Sequence, residues 1–192
     1  SHFTDEKMGY MIECPNLVFI DNKPVLILCP QGLDKRICDY DNVFPNMYVV
    51  ADELNLDTPE LVNPSTLHRL DDGFEVYATQ AFNAPDGRVL ASSWLGLPDI
   101  DVPSQADGVQ GILSLVKELT LKDGKLYQYP VAETVSLRQA AQKLTLSNRP
   151  ISQDTNSYEL EVELSSSQTL YLFANADKTS FVSLHVDMVI GK

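Results

Sequence analysis

Along the first two-thirds of the chain, apolar residues gather in short runs broken by turn residues, with little sign of helical spacing. Met11–Ile20 leads through Asp21-Asn22-Lys23-Pro24 to the apolar run Val25–Leu28. Glu75–Phe82 leads through Ala84-Pro85-Asp86-Gly87 to Val89–Trp94, and Leu113–Leu121 through Lys122-Asp123-Gly124 to Lys125–Tyr129. Gly, Asn and Asp tolerate positive φ and Pro presets it, so each junction predicts a β-hairpin. Asn42–Leu67, rich in Asp, Asn and Pro, predicts a long loop with one outer strand at Met47–Val50. A shift of 64 positions lays Gly9-Tyr10 on Gly73-Phe74, Val25-Leu26 on Val89-Leu90, and Gly32-Leu33 on Gly96-Leu97. A repeated antiparallel unit is the sequence sign of radial repetition, a propeller above all.

The pattern then changes. Ala132, Glu133, Leu137, Ala140, Ala141 and Leu144 recur at near-helical spacing behind Pro130, which predicts a short helix within Val131–Leu146. Asn148–Asn156 is polar, contains Pro150 and reads as a linker. Tyr158–Leu164, Thr169–Ala174 and Ser180–Ile190 read as further strands. The fold class is all-β, in three stretches: 1–138, 139–156 and 157–192.

Hydrophobic residues make up 44% of the chain, enough for a packed core. The 14 basic and 27 acidic residues leave a net charge of -13, which repels nucleic acid and anionic membrane but leaves room for a small ligand. No apolar run approaches the roughly 20 residues that span a bilayer. Ser1–Lys7 lacks the basic-then-apolar order of a signal peptide. Cys14, Cys29 and Cys38 are odd in number and lack C-x-x-C spacing. They predict reduced thiols in a cytoplasmic protein, and with His2, His68 and His185 they fit no metal-ligand spacing. No cofactor and no metal are expected.

Met11-Ile12-Glu13-Cys14-Pro15-Asn16 embeds a carboxylate in an otherwise apolar strand. Apolar surroundings disfavour the charged form, as a general acid at neutral pH requires; the alternative is a strand-edge Glu pointing to water. Under the 64-residue shift Glu13 falls on Tyr77, and the stretch Leu70–Ala78 would bring Asp71, Glu75 and Tyr77 near it. Trp94, the only tryptophan, closes the second hairpin. Carboxylates beside an aromatic face suit a sugar, which has apolar C–H faces and many hydroxyls, although Trp94 could equally be a core residue.

Glu13-Cys14-Pro15 resembles the Glu-Cys-Pro motif of glycoside hydrolase family 32, which includes bacterial sucrose-6-phosphate hydrolases and invertases. Four further blocks match in the same order. They are Pro30-Gln31-Gly32-Leu33, the stretch from Leu70-Asp71 through Tyr77-Ala78 to Gln80, Ser93-Trp94-Leu95-Gly96, and Lys117-Glu118-Leu119-Thr120-Leu121-Lys122-Asp123-Gly124-Lys125-Leu126. The resemblance implies a five-bladed β-propeller followed by a β-sandwich. Residues 1–138 would supply blades four and five, 139–156 the helix end and linker, and 157–192 the first sandwich strands. It implies retaining hydrolysis of a β-fructofuranoside, sucrose or sucrose-6-phosphate, with Glu13 as acid/base. Cys14 would border the fructose site, and Asp71, Glu75, Tyr77 and Trp94 would line the pocket.

The family's Asn-Asp-Pro-Asn-Gly block, with the nucleophile, and its Arg-Asp-Pro block, with the stabilising Asp, are absent from these residues. Asp39, Asp41 and Asp99 stand in no matching context. The chain therefore reads as a fragment that would not hydrolyse sugar alone; the alternative is a non-catalytic sugar-binding or assembly module. Asp72, where an aromatic is usual, and Val116-Lys117, where Pro-Arg is common, depart from the pattern. Lys35, Arg36 and Lys117 are the candidates for reading a 6-phosphate.

Overall fold

In a computed structural model the described residues are 8–190 apart from positions 98, 146, 148, 153 and 154. Ser1–Lys7 (His2 among them), Leu146 of the predicted helix, and Asn148, Gln153 and Asp154 of the predicted linker lie outside the described residues. Strands β1 (Met11–Ile20) and β2 (Lys23–Gln31) form the first predicted hairpin. Ile20 pairs with Lys23 across Asp21 and Asn22, whose φ values of 51° and 63° give the two-residue turn that matches strand twist. Strand β3 (Met47–Val50) is formed as predicted and pairs with β2. The loop after it folds back as a small hairpin, β4 (Glu53–Asn55) with β5 (Glu60–Val62), before β6 (His68–Arg69) pairs with β3. The sheet order is β1-β2-β3-β6.

A second antiparallel sheet follows. It contains β7 (Val76–Asn83), β8 (Val89–Leu95), β9 (Ile112–Leu113), β10 (Lys117–Lys122) and β11 (Lys125–Pro130). Its order is β11-β10-β8-β7, with β9 on the end of β8. The strand predicted at Leu113–Leu121 is thus two strands. Ser114 bridges the break: its N–H donates to the Ser93 carbonyl (2.8 Å) and its hydroxyl accepts from the Ser93 N–H (3.0 Å).

Alternation along β3 splits the core. Tyr48 and Val50 join Val18, Ile20, Val25 and Ile27 of the first sheet and Val89, Ala91 and Leu119 of the second. Met47 and Val49, on the opposite face, pack with Leu33, Tyr40 and Leu67. Burying each such side chain stabilises by about 1.5–3 kcal/mol.

The edge strands β1 and β7 of the two sheets lie beside one another. Two asparagines bridge them. Asn16 Nδ2 donates to the Thr79 carbonyl (2.8 Å) and Asn16 Oδ1 accepts from the Ala81 N–H (3.0 Å). Asn83 Oδ1 accepts from the Phe19 N–H (3.0 Å) and its Nδ2 donates to the Phe19 carbonyl (2.6 Å). Side-chain amides here satisfy backbone groups that would otherwise lack a ladder partner.

The predicted helix is reduced to a 3₁₀ turn, Ala132–Leu137. Val131 is buried before it, but every described residue from Val135 to Thr145 is exposed, so no surface receives the apolar stripe that would stabilise an α-helix. The chain divides into two compact units, Ser1–Ala141 and Gln142–Lys192. The second holds one hairpin, β12 (Gln168–Ala174) with β13 (Phe181–Val186). Tyr158–Leu164 takes no strand pairing; Tyr158 instead donates to the Leu172 carbonyl (2.9 Å) and its ring lies 5.5 Å from that of Phe173.

Candidate active site

Strands β1 and β7 each lose register once, between Glu13 and Asn16 and between Tyr77 and Gln80. The residue at each break has positive φ, 47° at Cys14 and 48° at Ala78. Such bulges re-aim side chains. Here Glu13 and Tyr77, which are 64 residues apart, come together, and the Tyr77 hydroxyl donates to Glu13 Oε2 at 2.8 Å. Gln31, at the end of β2, donates from Nε2 to Glu13 Oε2 (2.9 Å) and to the Tyr77 hydroxyl (3.0 Å).

Tyr77 packs with buried Cys29 and Leu97, and Cys14, Phe44, Ala78, Trp94 and Ile100 complete this cluster. Burial is the largest influence pushing the Tyr77 phenol far above its usual value, and the bond to Glu13 adds to it. Burial also raises the Cys14 thiol, helped by the Glu13 charge, and pushes Cys29 up to about 12. Both sulfurs therefore stay as neutral thiols at neutral pH. Trp94 pairs with Tyr77 across β7 and β8. Gly111, at φ 75°, makes room for its indole: a Cβ there would stand 2.2 Å from Trp94 Nε1.

A buried polar chain runs beneath this cluster. Cys29 Sγ donates to Asn46 Oδ1 (3.6 Å), Asn46 Nδ2 donates to Thr79 Oγ1 (2.5 Å), and the Thr79 and Ser93 hydroxyls are 2.7 Å apart. It ties β2, the loop before β3, β7 and β8 together, and each of its buried polar groups has a partner.

Of the residues singled out in the sequence, Glu13, Cys14, Tyr77 and Trp94 meet around this cluster. Asp71 and Glu75 have other contacts. Asp71 accepts from the Gly73 N–H (2.8 Å), pairs with Lys117 (3.3 Å), and lines a depression with Tyr40, Asn42, Arg69 and Asp72. Glu75 has φ 60°, its carbonyl accepts from the Gly96 N–H (2.9 Å), and its buried Oε2 has no hydrogen-bond partner. Burial raises its carboxyl above the ordinary value. The cations considered for a phosphate are each engaged. Arg36 pairs with Asp34, Lys117 with Asp71, and Lys35 lies over the Tyr40 ring at 5.1 Å. Gln31 and Asn46 were not singled out; nothing in the Pro30-Gln31-Gly32-Leu33 block says where an amide will point. Among the described residues no group of three or more His, Cys, Asp or Glu could hold a metal ion, and no helix is long and apolar enough to cross a membrane.

Comparison with known proteins gives this geometry a context. The model of the glycosyl hydrolases family 32 N-terminal domain matches residues 1–130. The sucrose-6-phosphate hydrolase of Lactococcus lactis subsp. lactis is 51% identical over 188 residues, covering 96% of this chain and 40% of that protein. The solved sucrose-6-phosphate hydrolase of Lactobacillus gasseri superposes with a TM-score of 0.81 at 41% identity, covering 96% of this chain and 38% of that one. A Bombyx mori β-fructofuranosidase of the same family, solved with sucrose, gives a TM-score of 0.65 at 31% identity over 71% of this chain and 29% of its own. The chain thus spans about two fifths of the length of the curated relatives it matches.

Proposed function

This chain belongs to glycosyl hydrolase family 32, and on that ground we propose that the whole protein carrying it is a retaining β-fructofuranosidase acting on sucrose-6-phosphate or sucrose. Glu13 is its general acid/base. The observation that carries this reading is the meeting of Glu13, Tyr77 and Gln31 where two bulged strands converge. In the first step Glu13 protonates the leaving glucosyl oxygen. In the second it takes a proton from the water that attacks the fructosyl-enzyme. Retention requires a carboxylate nucleophile about 5 Å away across the anomeric carbon. The blocks expected to hold that nucleophile and a stabilising Asp are absent from the sequence, so these 192 residues alone should be inactive.

In the same reading the two meandering sheets are blades four and five of a five-bladed propeller, residues 139–156 form the linker, and β12 with β13 begins a β-sandwich. Cys14, Tyr77 and Trp94 border the fructosyl unit, with Asp71 and Glu75 further along the wall. The names of the relatives favour a phosphorylated substrate. With Lys35, Arg36 and Lys117 all engaged, we assign the phosphate contact to none of them.

The test is Glu13→Ala in the whole protein. Sucrose hydrolysis should fall about 10²- to 10⁴-fold, while a fructoside whose leaving group needs no protonation should lose far less. Equal loss on both substrates would remove Glu13 from the acid/base role. Calorimetric binding of fructose without turnover by the unmutated protein would favour a non-catalytic sugar-binding module.

A further inference from the structure

The two oxygens of the Glu13 carboxylate are treated differently. Oε2 accepts from both Gln31 Nε2 (2.9 Å) and the Tyr77 hydroxyl (2.8 Å), whereas Oε1 takes part in neither bond. Gln31 has two amide hydrogens: one meets Oε2 and the other meets the Tyr77 oxygen at 3.0 Å. That second bond occupies a lone pair of the phenol and leaves its hydrogen directed at Oε2. The opposite amide orientation would set a carbonyl oxygen against the carboxylate. Tyr77 is buried, and its raised phenol stays protonated at neutral pH, so it remains a donor there.

Gln31 is itself well anchored. Its carbonyl accepts from the Tyr10 N–H at 3.0 Å. Gly9 lies so close that a Cβ there would stand 2.0 Å from the Gln31 carbonyl oxygen.

Because both partners of Oε2 are donors, a proton on Oε2 would face two other hydrogens. We propose that Gln31 is a positioning residue which, with Tyr77, holds Oε2 as a permanent acceptor and leaves Oε1 as the atom that exchanges the proton with substrate. This deepens the reading of Glu13 as acid/base and rests on it. In the first step the Oε1–H bond breaks and its proton passes to the glycosidic oxygen, the carboxylate nucleophile of the whole protein bonds to the anomeric carbon, and the electron pair of the breaking C–O bond leaves with the alcohol. In the second step a water O–H breaks, its proton passes to Oε1, the water oxygen bonds to the anomeric carbon, and the bond from that carbon to the nucleophile breaks with its electron pair returning to the carboxylate. Glu13 thus returns to its starting state. Oε2 accepts the same two bonds throughout, so neither Gln31 nor Tyr77 has to turn during the cycle.

The experiment compares kcat/KM against pH for sucrose in Gln31→Leu and in the near-isosteric Gln31→Glu, both in the whole protein. Gln31→Leu removes a donor from the carboxylate. The alkaline limb should rise by about one pH unit, tenfold in proton affinity, with kcat falling about tenfold. Gln31→Glu places a second carboxyl beside the first, and shared protonation should move the limb further up. Profiles that superpose on that of the unmutated protein in either folded variant would reduce Gln31 to a packing role and overturn the proposal. Run alongside, the Glu13→Ala leaving-group comparison separates the two claims. If it holds while the Gln31 profiles stay fixed, only the positioning role falls.

Discussion

Strands β1 and β7 kink at corresponding places, at Cys14 and at Ala78, and the residue before each kink contributes to one hydrogen bond, Glu13 from β1 and Tyr77 from β7. Two residues beyond each kink stands an amide that donates back to the kinked carbonyl, Asn16 to Cys14 at 2.8 Å and Gln80 to Ala78 at 3.4 Å. The backbone device is the same, and its side chains divide the labour. On β1 the kink carries an acid, and its amide also binds Thr79 and Ala81 on the neighbouring strand. On β7 the kink carries a phenol, and its amide is exposed and reaches only Cys14 on the neighbouring strand. A repeated backbone irregularity thus creates a meeting point between two strands, and the residue types placed there decide whether it becomes a site or a seam.

The largest effect is expected on the chemical side. Tyr77→Phe keeps the ring in its cluster and deletes only the donor to Glu13. A hydrogen bond to a charged group is worth about 1.5–3 kcal/mol, so kcat/KM on sucrose should fall about 10- to 100-fold with little change in melting temperature. An unchanged kcat/KM would mean that the Tyr77 bond is incidental. The structural side is sharpened by pairing Asn16→Ala with Gln80→Ala. Asn16→Ala strips partners from partly buried backbone groups and should cost about 1–3 kcal/mol in urea unfolding. Gln80→Ala should stay within about 0.5 kcal/mol, and equal losses would contradict the division drawn above.

The smallest effect concerns Glu75. Burial raises its carboxyl in the folded state, so the folded chain holds this proton more tightly than the unfolded chain does. Its contribution is therefore most favourable below the ordinary carboxylate value and is lost as pH rises towards the raised one. Glu75→Gln should stabilise the protein slightly at pH 7 and give no gain near pH 4; thermal melts at the two values would show it. A gain of equal size at both values would place the cause in something other than this proton.

Much of the fold could be read from the sequence because it is written in local chemistry. Asp21-Asn22 and Asp123-Gly124 mark two-residue turns, both occupied by residues at positive φ, and Met47–Val50 is a strand with its predicted bounds. Near-helical spacing after Pro130 misled, since spacing cannot say whether a surface waits to receive the stripe. The alternation at Tyr158–Leu164 likewise predicted a strand where no partner strand pairs with it. Within the site, the 64-residue shift brought Glu13 and Tyr77 together, because a bulge repeated in register aims its neighbours alike. Gln31 and Asn46 stayed hidden. Their roles depend on where amides point once three strands have packed, which no spacing along the chain encodes. Asp71 pairs with Lys117, a contact between residues 46 apart that no local spacing reveals.

In the proposed reaction Glu13 gives and takes the proton. Glu13→Ala in the whole protein, assayed on an activated fructoside with and without azide, tests it most directly. Azide attacks a fructosyl-enzyme without needing a general base, so it should accelerate the variant and yield fructosyl azide, while leaving the unmutated protein nearly unaffected. A variant that azide neither accelerates nor diverts to fructosyl azide would contradict the assignment of Glu13 as acid/base.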